Sequence, residues 1–220
     1  MSRAFSWHAS LLAVLLLGCA EAPPPYTPAY YAGSLGPGAI AYRLPVMGDW
    51  FVIRTHYGAK NDQAFALDLG VLAEAGKTHV GAGRSNTDYA AYNQPIVADA
   101  PGVVVILVDG VPENEPGVAN GYDMHCNYVV IDHRNGEYSL MAHLVPGSVR
   151  VRPGQPVEAG TELGRCGNSG HSTEPHVHWQ VMDRPLAHTA HPIQPRFAPY
   201  LRNGGVTTER SDRHDAVTPP

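Results

Sequence analysis

The sequence predicts a mainly β fold, a single domain of antiparallel strands, and two observations support this prediction. Short runs of β-branched and apolar residues recur along the chain, for example at residues 50–53, 102–108 and 128–131. Glycine and proline separate these runs, since the 220 residues include 23 glycines and 20 prolines, and no long amphipathic helix pattern is evident. A chain of this length is ample for one hydrophobic core.

Residues 1–19 have the pattern of a bacterial export signal. Arg3 precedes a short apolar stretch, residues 9–17, which is too brief to span a bilayer comfortably. Residues 16–19, Leu-Leu-Gly-Cys, resemble a lipobox, in which Cys19 is lipidated and becomes the first residue of the mature chain. The alternative is a plain cleaved signal peptide with an incidental cysteine. Because alanine rather than aspartate follows Cys19, we expect the outer membrane, facing the periplasm, rather than retention at the inner membrane.

Composition divides the chain into four segments. Residues 1–18 form the predicted lipoprotein signal peptide, and the proline-rich residues 19–38 form a semi-extended tether that lifts the domain away from the membrane. Residues 39–200 contain the predicted strands and form the domain itself. Residues 201–220 are polar, and we predict a disordered tail there.

The charge balance argues against two kinds of interaction. The formal net charge is −5, whereas binding to nucleic acid needs a basic surface to neutralise the phosphates. The same balance gives no support for a polybasic patch that would bind anionic lipid. Contact with the membrane would therefore depend on the lipid attached to Cys19.

Five polar residues spread along the chain predict a metal site. His176 and His178 lie two residues apart at the start of an apolar run, so an extended strand places both side chains on one side, roughly 7 Å apart. His56, Asp68 and His143 each lie in or beside a short strand pattern. Zinc in hydrolases is typically held by three His, Asp or Glu ligands and a water. His56, Asp68 and His178 would supply these ligands, and His143 and His176 would handle protons.

Each of these residues also has an ordinary structural explanation. A strand histidine such as His143 often bonds only a backbone carbonyl, and Asp68 could merely cap a turn. Asp62 is a rival ligand, but it lies in a polar turn, whereas the apolar flanks of Asp68 predict a strand that holds the carboxylate rigidly. The joint order of the residues, rather than any one of them, favours the metal site.

The order of these motifs resembles the lysostaphin-type, or LytM-like, zinc endopeptidases, which cut peptide bridges in bacterial peptidoglycan. The matching elements are His56 and Asp68, the segment M-A-H-L at residues 141–144, and the segment G-N-S-G-H-S-T-E-P-H-V-H-W at residues 167–179. The resemblance covers roughly residues 45–185. It departs from the commonest pattern in the longer spacing between His56 and Asp68.

The resemblance implies an antiparallel β-sheet domain with a metal-bearing groove and long loops. It also implies one Zn²⁺ per chain, peptidoglycan peptides as substrate, and second-sphere roles for His143 and His176. Two further departures are Glu174, where glycine is frequent, and Trp179, where phenylalanine is frequent. Both could alter the groove without removing a ligand.

Insertions at residues 76–92 and 112–126 predict walls that restrict access to the groove. Two alternatives to a peptidoglycan hydrolase stay open, because some members of the resembled family are non-catalytic regulatory or binding modules and others cut proteins. A regulatory protein would then be a further partner. This chain retains a candidate at every ligand and catalytic position, which favours the enzyme.

Cysteine usage agrees with export. If Cys19 is lipidated, Cys126 and Cys166 remain as a pair in an oxidising compartment. A disulfide between them and two buried thiols are both consistent with the sequence, because nothing in it places the two residues within bonding distance.

Overall fold

The computed structural model describes residues 40–59, 61–118 and 125–219. Within these ranges the chain forms fifteen strands: β1 (Ala41–Tyr42), β2 (Trp50–Thr55), β3 (Leu67–Gly70), β4 (Pro95–Val97), β5 (Gly102–Val108), β6 (Tyr128–Asp132), β7 (Tyr138–Ala142), β8 (Pro156–Val157), β9 (Glu162–Arg165), β10 (Val177–Met182), β11 (Pro192–Ile193), β12 (Arg196–Phe197), β13 (Tyr200–Arg202), β14 (Gly205–Thr207) and β15 (Ala216–Thr218). Three short 3₁₀ helices lie between them, at Glu74–Gly76, Asn86–Asp88 and Ala187–Thr189.

One large antiparallel sheet forms the body of the domain. Its strand order is β14-β13-β15-β2-β3-β10-β7-β6-β5-β8, and β11 also pairs with β10. Strands β4 and β9 form a small antiparallel sheet, and β1 pairs with β12 in parallel. The described residues contain no α-helix. The prediction of a mainly antiparallel β fold is confirmed.

Strand β10 lies near the middle of the large sheet and is buried along its whole length. Its alternate side chains point to opposite faces of the sheet. Val177, Trp179 and Val181 enter the main hydrophobic core, whereas His178 and Gln180 line a groove. Strand β10 therefore presents its polar side chains, His178 and Gln180, to the groove.

The prediction of a disordered tail at residues 201–220 is wrong for the described residues 201–219. Strand β15 pairs with both β13 and β2, so the end of the chain extends one side of the large sheet. Tyr200, Ser211 and Val217 are buried. Strands β13 to β15 have only three residues each and β14 is largely exposed, so no apolar alternation marks them in the sequence. The domain therefore continues through β15.

The predicted signal peptide and tether at residues 1–38, including Cys19, lie outside the described residues. Lipidation and export therefore stay predictions. In the part of the chain that the structure describes, we find no helix with the length and apolar character needed to cross a bilayer.

The two described cysteines, Cys126 and Cys166, are thiols and are not joined in a disulfide. The sequence left open a disulfide or two buried thiols; the structure has two thiols, of which Cys166 is buried and Cys126 is half-buried. Cys166 is completely buried, and its backbone forms an isolated antiparallel β-bridge with that of Leu144. Burial raises the pKa of the Cys166 thiol, which keeps it protonated and unreactive.

Candidate metal centre

Three donors of the predicted kinds converge at one end of the groove. His56 follows β2, Asp68 lies on β3 and His178 lies on β10. One ligand atom from each of them lies within 4.8 Å of the other two. His56 Nε2 is 3.0 Å from Asp68 Oδ2, and His178 Nδ1 is 2.8 Å from Asp68 Oδ1. Donors at about 2.0–2.1 Å from one tetrahedral zinc ion are separated by roughly 3.3 Å, so this set matches the size of such a site.

Strand pairing brings these residues together. In the antiparallel register of β10 and β3, His178 lies directly opposite Asp68, so their side chains leave the same face of the sheet. Strand β2 pairs with the other side of β3, with an irregularity between Val52 and Arg54. The backbone N–H of His56 then donates to the carbonyl of Ala66 at 3.0 Å. Strand pairing therefore positions Asp68 and His178 within the sheet and His56 just beyond the end of β2.

The hydrogen bonds of His178 define which ring nitrogen would face a metal. Its Nε2–H donates to Gln180 Oε1 at 2.9 Å, and its Nδ1–H donates to Asp68 Oδ1 at 2.8 Å. Burial is the largest influence and opposes the charged imidazole, but the hydrogen bond to Asp68, the charge of Asp68 and the hydrogen bond to Gln180 together outweigh burial and raise the pKa of His178. A metal ion between His178 and Asp68 would replace the Nδ1 proton, while Gln180 would still hold the other nitrogen.

Asp68 is a strong acceptor despite its burial. Its exposed fraction is 8%, and burial alone would favour the neutral acid. Hydrogen bonds from His178 and His56, together with the electrostatic effect of His176 and His178, outweigh burial and hold the pKa of Asp68 well below its usual range. Asp68 therefore remains a carboxylate, which is the form that binds a cation.

His143 and His176 stand beside this cluster with their ring centroids 4.7 Å apart. His143 Nδ1–H donates to the carbonyl of Ser169 at 2.8 Å, and His176 Nδ1–H donates to the carbonyl of Glu174 at 2.8 Å. A carbonyl can only accept, so in the neutral form of each ring these bonds place the proton on Nδ1 and leave Nε2 as the proton acceptor. His176 Nε2 lies 3.8 Å from Asp68 Oδ1.

The environment of His143 keeps its imidazole neutral. Burial is the largest cause, followed by the nearby His176 and His178, and together they lower the pKa of His143 well below its usual value. His143 also adopts a left-handed backbone conformation, with φ of 69°. Such a conformation is uncommon for a residue other than glycine and is often found at functional sites.

The insertion at residues 112–126 supports the loop that orients His143. Asn114 Nδ2 donates to the carbonyls of Gly170 and Ser172, and Glu113 Oε1 accepts from the backbone N–H of Asn168. These bonds fix the loop that contains the Ser169 acceptor. The sequence predicted a wall here, and residues His125 and Cys126 do line the groove. The buttressing role of Asn114 and Glu113 was not predicted.

The insertion at residues 76–92 acts differently from the prediction. None of its described residues lines the groove. Thr78 Oγ1 instead donates to Glu174 Oε2 at 3.0 Å, which fixes the side chain of Glu174 at the groove wall. The insertion therefore acts as a support for the wall and not as the wall itself.

The groove has a volume of about 770 Å³ and is lined by both charged and apolar side chains. All five predicted site residues line it, together with Arg54, Asp62, His171, Glu174 and His188. Asp62, the rival ligand, lies outside the three-donor cluster, and its backbone carbonyl accepts from Gln180 Nε2 at 3.4 Å. The geometry therefore places Asp68, rather than Asp62, in the donor set.

A buried polar network lies on the opposite face of β10. Trp179 Nε1–H donates to Asp99 Oδ2 at 2.8 Å, and Ser139 Oγ–H donates to Asp99 Oδ1 at 2.8 Å. Ser139 also bonds His133 Nε2 at 2.9 Å. Burial raises the pKa of Asp99. All four residues are at most 5% exposed, so the network has no contact with substrate and instead holds β10 from behind.

Comparison with known proteins gives the family of the chain. Residues 82–195, slightly more than half of the chain, match the model of Peptidase family M23. A curated relative, the peptidoglycan DD-endopeptidase ShyA of Vibrio cholerae, is 33% identical over 101 residues. The match covers 46% of this chain and 20% of ShyA, so the chain spans only about a fifth of the length of that relative.

Solved structures are similar at lower identity. A zinc-containing peptidase from Vibrio cholerae is 17% identical, with coverage of 73% of this chain and 41% of that one and a TM-score of 0.41. The catalytic domain of lysostaphin from Staphylococcus simulans is 17% identical, covering 66% and 88%, with a TM-score of 0.39. The M23 metalloprotease pseudoalterin from the deep sea is 18% identical, covering 82% and 98%, with a TM-score of 0.46.

The family match includes three of the five predicted site residues and omits two. His143, His176 and His178 lie within residues 82–195, whereas His56 and Asp68 precede them. The structure nevertheless brings all five to one groove. The matched region accounts for more than half of the sequence, and this chain belongs to peptidase family M23.

Proposed function

We propose that the chain is a zinc-dependent endopeptidase that hydrolyses peptide cross-links or stem peptides of bacterial peptidoglycan. The observation that carries the proposal is the convergence of His56, Asp68 and His178 beside two histidines whose Nε2 atoms are proton acceptors. His56, Asp68 and His178 would hold one Zn²⁺ per chain. Two imidazoles and one carboxylate are a usual donor set for catalytic zinc.

The chemistry of the donors supports this assignment. Bound to two neutral imidazoles and one carboxylate, a zinc ion would keep a positive charge, polarise a carbonyl and lower the pKa of a bound water toward about 7. Gln180 fixes His178 so that Nδ1 faces Asp68, and such second-sphere bonds raise the affinity of a metal site.

The two remaining histidines would move the protons. Hydrolysis of a peptide bond joins a water oxygen to the carbonyl carbon, breaks the C–N bond and protonates the leaving amine. Nε2 of His143 is neutral and accepting, so it can take a proton from the attacking water. The proton taken up by Nε2 of His143 can then be given to the leaving amine, either directly or through Nε2 of His176, which accepts it and gives it up again, so the water proton ends on the amine. The backbone acceptors Ser169 and Glu174 keep both rings in the required tautomer.

Two observations support peptidoglycan peptides as the substrate: the similarity to ShyA and the shape and lining of the groove. ShyA is described as a peptidoglycan DD-endopeptidase, and the open groove of about 770 Å³ can receive an extended peptide. Its lining includes acidic and basic side chains, Asp62, Glu174 and Arg54 among them. Peptidoglycan peptides carry both carboxylates and amines, and such a mixed lining can bind both.

Zinc content and release of peptide-containing fragments from purified peptidoglycan together test the proposal. The whole chain should bind about one zinc and release fragments. His178→Ala should lose both, whereas His143→Ala should keep zinc and lose fragment release. His79→Gln, which removes a histidine outside the groove, serves as the control and should behave as the wild type. Absence of zinc and of fragment release from the wild type would refute the proposal, and zinc without release would refute the peptidoglycan substrate.

We also propose that the chain is exported and anchored in the outer membrane, facing the periplasm, through lipid on Cys19. The support is the apolar stretch at residues 9–17 and the lipobox-like segment at residues 16–19. Labelling with radioactive palmitate in a bacterial host, with Cys19→Ser as the control, tests this. The wild type should be labelled and sediment with membranes. Labelling of Cys19→Ser would contradict the assignment.

A further inference from the structure

The end of the chain, residues 200–218, packs against the strand that leads to His56. We call these residues the C-terminal extension. They comprise β13, β14 and β15 and lie beyond the family match at residues 82–195. Strand β15 pairs with β2, so β2 lies between β15 and β3. A part of the chain outside the family match thus borders a strand of the metal centre.

The contacts between the extension and β2 continue toward His56. Val52 N–H donates to the carbonyl of Asp215 at 3.0 Å, and His214 N–H donates to the carbonyl of Val52 at 2.8 Å. Beyond them, Arg213 Nε–H donates to the carbonyl of Ile53 at 3.1 Å. The extension therefore forms hydrogen bonds to the β2 backbone as far as Ile53, three residues before His56.

A second contact holds the chain on the other side of His56. The guanidinium of Arg210 lies 4.7 Å from the centroid of the Tyr57 ring, in cation–π geometry. Tyr57 packs against the main hydrophobic core. The backbone around Arg210 is anchored by Tyr200, whose hydroxyl donates to the carbonyl of Glu209 and lies 2.6 Å from Ser211 Oγ. Arg210 is therefore presented to Tyr57 from a fixed segment.

His56 is the ligand that needs such support most. Asp68 and His178 lie within strands that are paired on both sides, β3 and β10. His56 lies past the end of β2, where the bond from its N–H to the Ala66 carbonyl links it to the neighbouring segment. A shift of its backbone would move Nε2 away from its 3.0 Å contact with Asp68 Oδ2.

We propose that Arg210 and Tyr57 are positioning residues for the metal site, and that the C-terminal extension fixes His56 from both of its flanks. The inference rests on the proposed function, because it assumes that His56 binds zinc. Exposed cation–π contacts are weak. Loss of this one should weaken zinc binding by about two- to fivefold.

Zinc dissociation constants of the whole chain, measured by competition with a chromophoric chelator, test the inference. The variants are Arg210→Ala, Arg210→Lys and the control Arg152→Ala. Arg152 is an exposed arginine that precedes β8, at the opposite edge of the sheet. Arg210→Ala should bind zinc about two- to fivefold more weakly than the wild type, Arg210→Lys should recover part of the loss, and Arg152→Ala should match the wild type.

Two further measurements separate positioning from general destabilisation. The cobalt(II)-loaded proteins report ligand geometry through their visible absorption, which should change in Arg210→Ala and not in Arg152→Ala. Melting curves of the metal-free proteins should show Arg210→Ala folded at the titration temperature.

If the wild type binds no zinc, the proposed function itself fails. If the wild type binds zinc and folded Arg210→Ala binds it equally well with an unchanged cobalt spectrum, only this inference is overturned. Equal weakening by Arg152→Ala would also overturn it.

Discussion

Replacement of Gln180 by leucine should weaken zinc binding without removing a ligand. Gln180 is 3% exposed, and its Oε1 accepts from Nε2 of His178 at 2.9 Å. Leucine has a similar volume and no acceptor. The variant therefore keeps the packing of β10 and leaves the Nε2–H of His178 buried without the partner that orients the ring.

The expected loss follows from that single bond. A buried donor left without its acceptor costs about 1–3 kcal/mol. Each 1.4 kcal/mol corresponds to a tenfold change in a binding constant. Since the ring must keep Nδ1 toward Asp68 to bind the ion, most of the cost should appear in zinc affinity. We expect Gln180→Leu to bind zinc about 10- to 100-fold more weakly.

Competition titration with a chromophoric chelator measures this change, and two variants serve as controls. Gln180→Glu keeps an acceptor at the same place and should remain close to the wild type. Met182→Leu changes the next side chain on the same face of β10 without touching His178 and should also have little effect. Equal affinity of Gln180→Leu and the wild type, with both proteins folded, would refute the argument that this bond orients His178.

Three other outcomes are expected. Burial raises the pKa of Asp99, so protonation of Asp99 favours the folded state; this stabilisation is complete below about pH 4 and is lost as the pH rises through the folded-state pKa. In urea unfolding, the free energy of unfolding of the wild type should therefore fall relative to that of Asp99→Asn as the pH increases from 4, and a constant difference would contradict this. Gly170 has φ of 75° and a Cβ there would meet Cys126 Cβ at 2.5 Å, so Gly170→Ala should cost about 2–4 kcal/mol, more than the control Gly117→Ala, whose Cβ meets nothing within 4 Å. Removal of zinc by a chelator should lower the melting temperature by about 5–10 °C relative to zinc at 100 times its dissociation constant, and no shift would argue against a bound metal.

The sequence was sufficient to predict the fold class and the five site residues that line the groove, because both depend on local pattern. The period of two along a strand puts His176 and His178 on one side, and the apolar flanks of Asp68 distinguish it from Asp62. The same period places Gln180 on the face of His178, so this signal was present and was missed. It could have identified the second-sphere residue before the structure.

Other features could not be predicted from local pattern. Asp99 bonds Ser139 and Trp179, which are 40 and 80 residues away in the chain, and no short motif records such contacts. The three-residue strands of the C-terminal extension are too short for a periodic signal, and their position depends on the pairing of β15 with β13 and with β2. Long-range pairing, rather than composition, makes these residues part of the domain.

The candidate metal centre has one part inside the family match and one part outside it. His143 and His176, with Ser169 and Glu174 behind them, lie within the family match, whereas His56 precedes it and is flanked by contacts from the C-terminal extension. Changes in the extension should therefore alter zinc affinity while the rings of His143 and His176 keep their hydrogen bonds. Fragment release at saturating zinc should then be nearly unchanged in Arg210→Ala, even where its zinc dissociation constant rises. A fall in that saturated rate would mean that the two parts are coupled through Asp68, which contacts His56, His176 and His178.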